Sequence, residues 1–311
     1  MSTKFIAAVV QASPVLFDLE KTLAKTAHLV SEASSKGAKL ALFPEAFISA
    51  YPRGLSFGTV VGSRSTEGRE TWLRYWNSSI EVPSKATDQL GEMARKANLF
   101  LVIGVNEKDT VSGTMYCTML YFNPKGELMG KHRKLKPTAA ERIIWGEGDG
   151  STLSTFNTSL GKMGGLICWE NYMPLARTAM YQKGVQLYLA PTADSRESWQ
   201  HTLKHIALEG RCFVMGCNQF VTKSMYPSDL PGITDLNHQP EVMSRGGSVI
   251  VAPSGEVLAG PLWDEEGMLT AEIDINEVIK SKLDFDPVGH YARNDVFSLT
   301  VEGQPDSEEF G

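Results

Sequence analysis

The sequence predicts a single α/β domain built on one mixed sheet or on two sheets. Three observations carry that reading. Short apolar runs suited to buried strands alternate with stretches of helical periodicity. After residue 115 the spacing tightens to that of hairpins. No repeat, low-complexity segment or interdomain linker interrupts the chain, so residues 1–311 read as one unit. The composition, 42% hydrophobic and 21% charged, is that of a globular protein long enough to bury a core without disulfides.

Residues 5–11 are rich in Ala and Val and read as a buried strand. A helix follows over 18–35, because Leu19, Leu23, Ala27 and Val30 form one apolar stripe and Gly37 supplies a stop. Residues 39–43 are a second buried strand running directly into Pro44-Glu45. The segment 52–83 reads as irregular. It carries Trp72, Tyr75 and Trp76, as a functional loop or interface would. Pro83 leads into a helix with Ala86, Leu90, Met93 and Ala94 on one face, and 100–105 is the next strand. Residues 115–122 and 128–132 flank the turn Asn123-Pro124-Lys125-Gly126. Strands are expected at 152–156 and 163–168, a helix at 173–182 stopped by Gly184, and a strand at 187–190. A helix at 197–209, a strand at 212–218 and a loop over 221–245 come next. The last clear hairpin joins 248–252 to 257–262 through Pro253-Ser254-Gly255.

Thirty basic against thirty-six acidic side chains give a net charge of −6, which argues against a nucleic-acid partner. No apolar stretch approaches membrane-spanning length. The six apolar residues 5–10 are too few for a secretory signal, and the four cysteines match no CxxC pattern. The expectation is a soluble cytoplasmic protein.

Cys168 ends an apolar strand just before a predicted helix. A nucleophile there stands out of the sheet, although most free cysteines are simply small buried hydrophobes. Cys117, Cys212 and Cys217 lie within apolar strand patterns and read as inert. A cysteine nucleophile needs a base. His201 and His205 lie four apart on a helix but lack a metalloprotease pattern; one solvent-facing and one packed histidine is expected. His132 and His290 pair with Cys168 by no spacing argument. Glu45, directly after a strand, is the alternative base. In the basic run Lys131-His132-Arg133-Lys134, strand alternation puts His132 and Lys134 on one face and Arg133 on the other, so a cation can point inward. Gly146-Glu147-Gly148-Asp149-Gly150-Ser151 fails the spacing of a phosphate loop.

Three segments together resemble the signature blocks of the nitrilases, in the carbon–nitrogen hydrolase superfamily. They are Leu42-Phe43-Pro44-Glu45-Ala46-Phe47, the run from Gly130 through Lys134 to Arg142, and Cys168-Trp169-Glu170-Asn171-Tyr172-Met173-Pro174-Leu175. Further nitrilase-like stretches include Ile144-Trp145-Gly146-Glu147, Ala190-Pro191-Thr192-Ala193-Asp194 and Val288-Gly289-His290-Tyr291. The resemblance spans about residues 5 to 303. It implies an α-β-β-α sandwich. It implies Glu45 as general base, Lys134 as cationic stabiliser, Cys168 as nucleophile and Glu141 as a second glutamate supporting the lysine. Cys168-Trp169-Glu170-Asn171 looks like the nitrile-acting branch rather than the amide-acting one. The implied reaction turns a nitrile into a carboxylic acid and ammonia through a thioimidate and a thioester, with no metal and no organic cofactor. Amide-forming hydration, or amidase action on the same triad, is the rival. A silent scaffold is disfavoured because all three triad positions are filled. Tyr51, Trp169, Tyr172, Thr192 and the 52–83 segment are expected to shape the pocket for a small-molecule nitrile. The resemblance also implies a homodimer or larger homo-oligomer. The short end Glu308-Glu309-Phe310-Gly311 differs from the longer tails of filament-forming relatives.

Overall fold

The computed structural model describes residues 3–303; the terminal stretch noted above lies outside the described residues. The first half of the chain forms β1 (Lys4–Gln11), α1 (Leu19–Ser35), β2 (Ala38–Leu42), β3 (Thr59–Val60), β4 (Ser63–Arg64), α2 (Thr66–Ser78), α3 (Lys85–Ala97), β5 (Phe100–Lys108), β6 (Met115–Phe122) and β7 (Leu128–Arg133). The second half forms β8 (Thr155–Thr158), β9 (Gly161–Gly165), α4 (Pro174–Gln182), β10 (Leu187–Pro191), α5 (Glu197–Gly210), β11 (Phe213–Cys217), β12 (Phe220–Thr222), β13 (Val242–Val251), β14 (Val257–Trp263), β15 (Gly267–Asp274) and α6 (Asn276–Ser281).

Two sheets result. One runs β15-β1-β2-β5-β6-β7, the other β12-β13-β11-β10-β9-β8 with β14 paired to β13. Each has a parallel centre, β1-β2-β5 and β9-β10-β11. The strand period of two sorts the side chains into layers. On β6, Met115, Cys117, Met119 and Tyr121 face the other sheet, while Leu120 and Phe122 face helices. On β10, Leu187 and Leu189 join the layer between the sheets, and Tyr188 and Ala190 face outward. Helices α1 and α3 cover the first sheet through Leu23, Val30, Leu90 and Ala94. Helices α4 and α5 cover the second through Met180, Trp199, Leu203 and Ile206. The order is helix, sheet, sheet, helix, as the resemblance implied.

Local chemistry sets the boundaries. The Asp18 carboxylate accepts the Lys21 N–H at 3.0 Å and caps α1, and Gly37 takes φ +81° just beyond its end. Burying Leu23 against the sheet stabilises α1 by about 1.5–3 kcal/mol.

Several expectations are corrected. The 52–83 segment contains α2, capped by Ser65, whose hydroxyl accepts the Gly68 N–H. Its buried stripe is Gly68, Thr71, Tyr75 and Ser78, too small and polar to register as hydrophobic periodicity. The 221–245 segment is a loop only in its middle, because β12 reaches Thr222 and β13 begins at Val242. The hairpin before Cys168 is β8–β9, shorter than expected, and Cys168 lies beyond the strand. Half-exposed β15 pairs along β1 as an edge; its weak alternation gave no sequence signal.

Candidate active site

Four chain segments meet where β2, β7 and β9 end. Beyond β2, Phe43 still bonds β5, and Pro44-Glu45 then turns inward, with Ala46 at φ +48°. The turn rests on Gly104 of β5. A Cβ there would lie 2.3 Å from the Pro44 carbonyl oxygen and 2.8 Å from Glu45 Cα, so only glycine lets the backbones approach. Gln219 Nε2 donates to the Glu45 carbonyl at 2.9 Å. The Glu45 carboxylate is fully buried. Its Oε1 accepts Lys134 Nζ at 2.6 Å and the Cys117 thiol at 3.6 Å, while Oε2 has no partner among the described residues. Burial pushes its pKa up, and the charge of Glu141 adds to the rise; Lys134 and the Cys168 thiol act the other way.

Lys134 follows β7, where alternation does point His132 and Lys134 inward. Arg133 and Lys131 turn the other way, onto Glu107. Lys134 Nζ also donates to Glu141 Oε2 at 2.7 Å. Burial works to lower the lysine, but Glu45, the Cys168 and Cys117 thiols and Glu141 outweigh it and hold the ammonium well above its ordinary value. Each Glu141 oxygen has a donor: Tyr51 Oη donates to Oε1, and Thr138 N–H donates to Oε2, each at 2.7 Å. The Trp145 ring lies 5.8 Å below the ammonium.

Cys168 opens a tight 3-10 turn, Cys168–Tyr172, after β9. Its φ is +51°, a strained value for a residue with a Cβ. Asn171 holds the turn, its Nδ2 donating to the Leu166 and Cys168 carbonyls at 3.0 and 2.8 Å. Thr192 Oγ1 donates to Sγ at 3.2 Å. Burial, then the charge of Glu45, pushes the Cys168 thiol up to about 12, and Lys134 offsets only part of this. Lys134 does lower it, and Cys168 is raised least of the four cysteines, yet the lowering does not go far enough for a resting thiolate. At neutral pH the resting group is a thiol, and it ionises only as a base removes its proton.

The structure thus brings Glu45, Lys134, Glu141, Cys168, Tyr51 and Thr192 together. It does not bring Trp169 and Tyr172 with them. Trp169 is 39% exposed, bonds Asp194 through Nε1 and lies under Arg196; Tyr172 is 41% exposed and sits edge-on to Trp199. A cavity of about 510 Å³ opens beside Glu141, lined by Tyr51, Leu55, Phe57, Ile143 and Ile144. A larger groove between α1 and α3 contains none of these groups. His201 and His205 are both exposed on α5, since Leu203 and Ile206 take the inward positions. Among the described residues no group of three His, Cys, Asp or Glu could hold a metal.

Two features escaped the sequence reading. Cys117, taken as an inert strand residue, points its thiol at Glu45. Glu170 and His132 form a buried pair at 3.0 Å; a charged residue inside the apolar run before Asn171 was the available signal. Chemically, a thiol, a carboxylate with an unused oxygen and a fixed ammonium suit nucleophilic addition to an electrophilic carbon, with a proton delivered to its heteroatom.

The carbon-nitrogen hydrolase family model matches residues 6–282. The chain is 54% identical to an aliphatic nitrilase from Sinorhizobium fredii (strain HH103), over 98% of each chain. It is 51% identical to a bifunctional nitrilase/nitrile hydratase from Lupinus angustifolius, over 96% of this chain and 86% of that one. The crystal structure of a carbon-nitrogen hydrolase from Helicobacter pylori G27 superposes with a TM-score of 0.74 at 20% identity, covering 95% and 97% of the two chains, and bears on the fold alone. With its two-sheet sandwich, its inward lysine between two glutamates and relatives at half identity over nearly their whole length, the chain belongs to the carbon-nitrogen hydrolase family.

Proposed function

We infer that the protein is a nitrilase that hydrolyses a small-molecule nitrile to the carboxylic acid and ammonia. One observation carries the assignment of roles. Of the two glutamates on Lys134, Glu141 has both oxygens occupied, while Glu45 keeps Oε2 unused. Glu45 is therefore the group able to accept a proton. Its raised pKa brings it toward the range useful for a base. Cys168 adds to the nitrile carbon as Glu45 takes the thiol proton, and that proton passes to nitrogen, giving a thioimidate. Lys134 has spent two N–H bonds on carboxylates and offers the third to the nitrogen as charge develops there. Water, deprotonated by Glu45, adds next. Ammonia leaves, a thioester remains on Cys168, and a second water releases the acid. Thr192 and Tyr51 position the sulfur and Glu141, and the cavity beside Glu141 receives the substrate side chain.

A second reading, release of the amide from the same intermediate, is favoured by the names of relatives described as bifunctional nitrilase/nitrile hydratase. A product-resolved nitrile panel tests both. Acid with ammonia supports the first, amide the second, and neither product from any nitrile refutes the assignment. A homo-oligomeric, cytoplasmic enzyme is part of the proposal, the location supported by four free thiols.

A further inference from the structure

Glu170 takes no part in the chemistry above, yet it is buried and tied to both halves of the site. Its Oε2 accepts the Ile167 N–H and its Oε1 accepts the Leu135 N–H, each at 2.6 Å. Ile167 immediately precedes Cys168, and Leu135 immediately follows Lys134. One carboxylate therefore joins the segment leaving β9 in one sheet to the segment leaving β7 in the other. His132 completes the arrangement. Its Nε2 lies 3.1 and 3.0 Å from the two Glu170 oxygens, and its Nδ1 lies 3.1 Å from the Thr152 carbonyl oxygen. The Thr152 hydroxyl also lies 3.5 Å from Nδ1. Burial works to lower the ring's pKa, but the Glu170 carboxylate and the Thr152 carbonyl outweigh it and raise it, favouring the imidazolium. The ring gives the buried carboxylate the partner that a lone carboxylate out of water would lack.

We propose that Glu170 is a positioning residue that fixes Lys134 relative to the Cys168 sulfur and thereby sets the proportion of acid to amide released. The proposal rests on the nitrile reading. The tetrahedral intermediate carries the substrate side chain, a hydroxyl, an amino group and Cys168 Sγ on one carbon. If nitrogen receives a proton from the Glu45–Lys134 pair, the C–N bond breaks with its electrons going to nitrogen, and the hydroxyl proton returns to that pair as the carbonyl forms. Ammonia then leaves and the thioester remains. If the C–S bond breaks instead, its electrons return to sulfur, the hydroxyl proton passes to Glu45 and on to the thiolate, and the amide leaves. Which bond breaks depends on where the Lys134 N–H lies between nitrogen and sulfur. Glu170 grips the backbone beside each partner.

The test is the amide share of product, separated chromatographically, for Glu170→Gln and His132→Gln on the nitrile that the unaltered enzyme turns over best. A product ratio does not depend on how much enzyme is folded, so a loss of stability alone does not move it. Glu170→Gln keeps the size but turns an NH2 toward one of the two backbone N–H groups. It is expected to raise the amide-to-acid ratio at least about threefold and to lower kcat by about 10²-fold with KM moving far less. His132→Gln shifts the ratio in the same direction. Leu203→Ala, in the core beneath α5, destabilises the protein and leaves the ratio unchanged. An unchanged ratio in both site variants overturns the proposal, as does an equal shift in Leu203→Ala. Failure of both site variants to fold also overturns it, because it makes the pair a folding element. No turnover of any nitrile by the unaltered enzyme refutes the nitrile reading itself, a result distinct from an unchanged ratio.

Discussion

Glu45 and Glu141 grip the same ammonium at 2.6 and 2.7 Å, yet their surroundings assign them different work. Glu141 has a donor on each oxygen, whereas Glu45 keeps one oxygen free in a dry site that raises its pKa. Glu45→Gln is expected to fold and to lower kcat by 10²–10⁴-fold, the usual range for losing a general base; steady-state kinetics that retain more than about a tenth of the rate would remove it from that role. Because the pKa of Glu45 is raised above 4.5 in the fold and the base form is the carboxylate, kcat/KM should climb with pH on a limb lying alkaline of that value. The cysteine at φ +51° is expected to carry the adduct. Mass spectrometry of enzyme quenched during turnover should find an acyl group on the tryptic peptide containing Cys168 and on none containing Cys117, Cys212 or Cys217. Cys168→Ala should fold and form none, and an adduct on another cysteine would overturn the mechanism.

The segments that hold these residues are short and leave little slack. Glu45 sits on a turn that lies against β5 at Gly104, and Gly165, three residues before Cys168, would place a Cβ 1.8 Å from the Leu189 carbonyl oxygen. Gly104→Ala should push the Glu45 turn away from the lysine. Activity should fall by more than about 10²-fold, with about 1–3 kcal/mol lost in denaturant unfolding, more than surface substitutions cost. Normal kinetics in Gly104→Ala would show that the turn tolerates movement. Strands whose two faces are both buried were legible in the sequence, because their apolar runs are continuous; so was the inward lysine, from simple alternation. Helix α2 was not, because Thr71 and Ser78 bury polar atoms that bond the chain itself, and no hydrophobic period records that. Neither was the separation of Tyr51 from Tyr172. Both aromatics flank signature residues, but only the three-dimensional path of the 3-10 turn sends Tyr172 outward.

At the scale of the whole molecule, the outer layer of α4 and α5 leaves apolar groups in water. Trp169, Tyr172, Met173 and Leu175 stand within seven residues of one another and are 39–68% exposed, and Leu208 on α5 is 43% exposed. The sequence read 52–83 as a functional loop or interface, and in the structure 221–245 packs against it. Much of what they carry is in fact buried, including Phe57, Tyr75, Tyr226, Leu230 and Leu236, so the case moves to the α4–α5 face. Contiguous apolar side chains at the start of one helix, beside a second helix, are costly to hydrate and suit a second copy of the same face. A stable pair needs about 800 Å² buried on each partner, within reach of two such helices. Light scattering at micromolar concentration should therefore give at least twice the 34.1 kDa of one chain. Leu175→Glu, which puts an unpaired charge at the most exposed of these positions, should drive the mass toward that of the monomer. The active site lies at strand ends inside the sandwich. If the monomer is active, association is a matter of stability rather than of chemistry; if activity falls in step with mass, the pair holds the Cys168 turn in place from outside. A single 34.1 kDa species from the unaltered protein would refute association through this face.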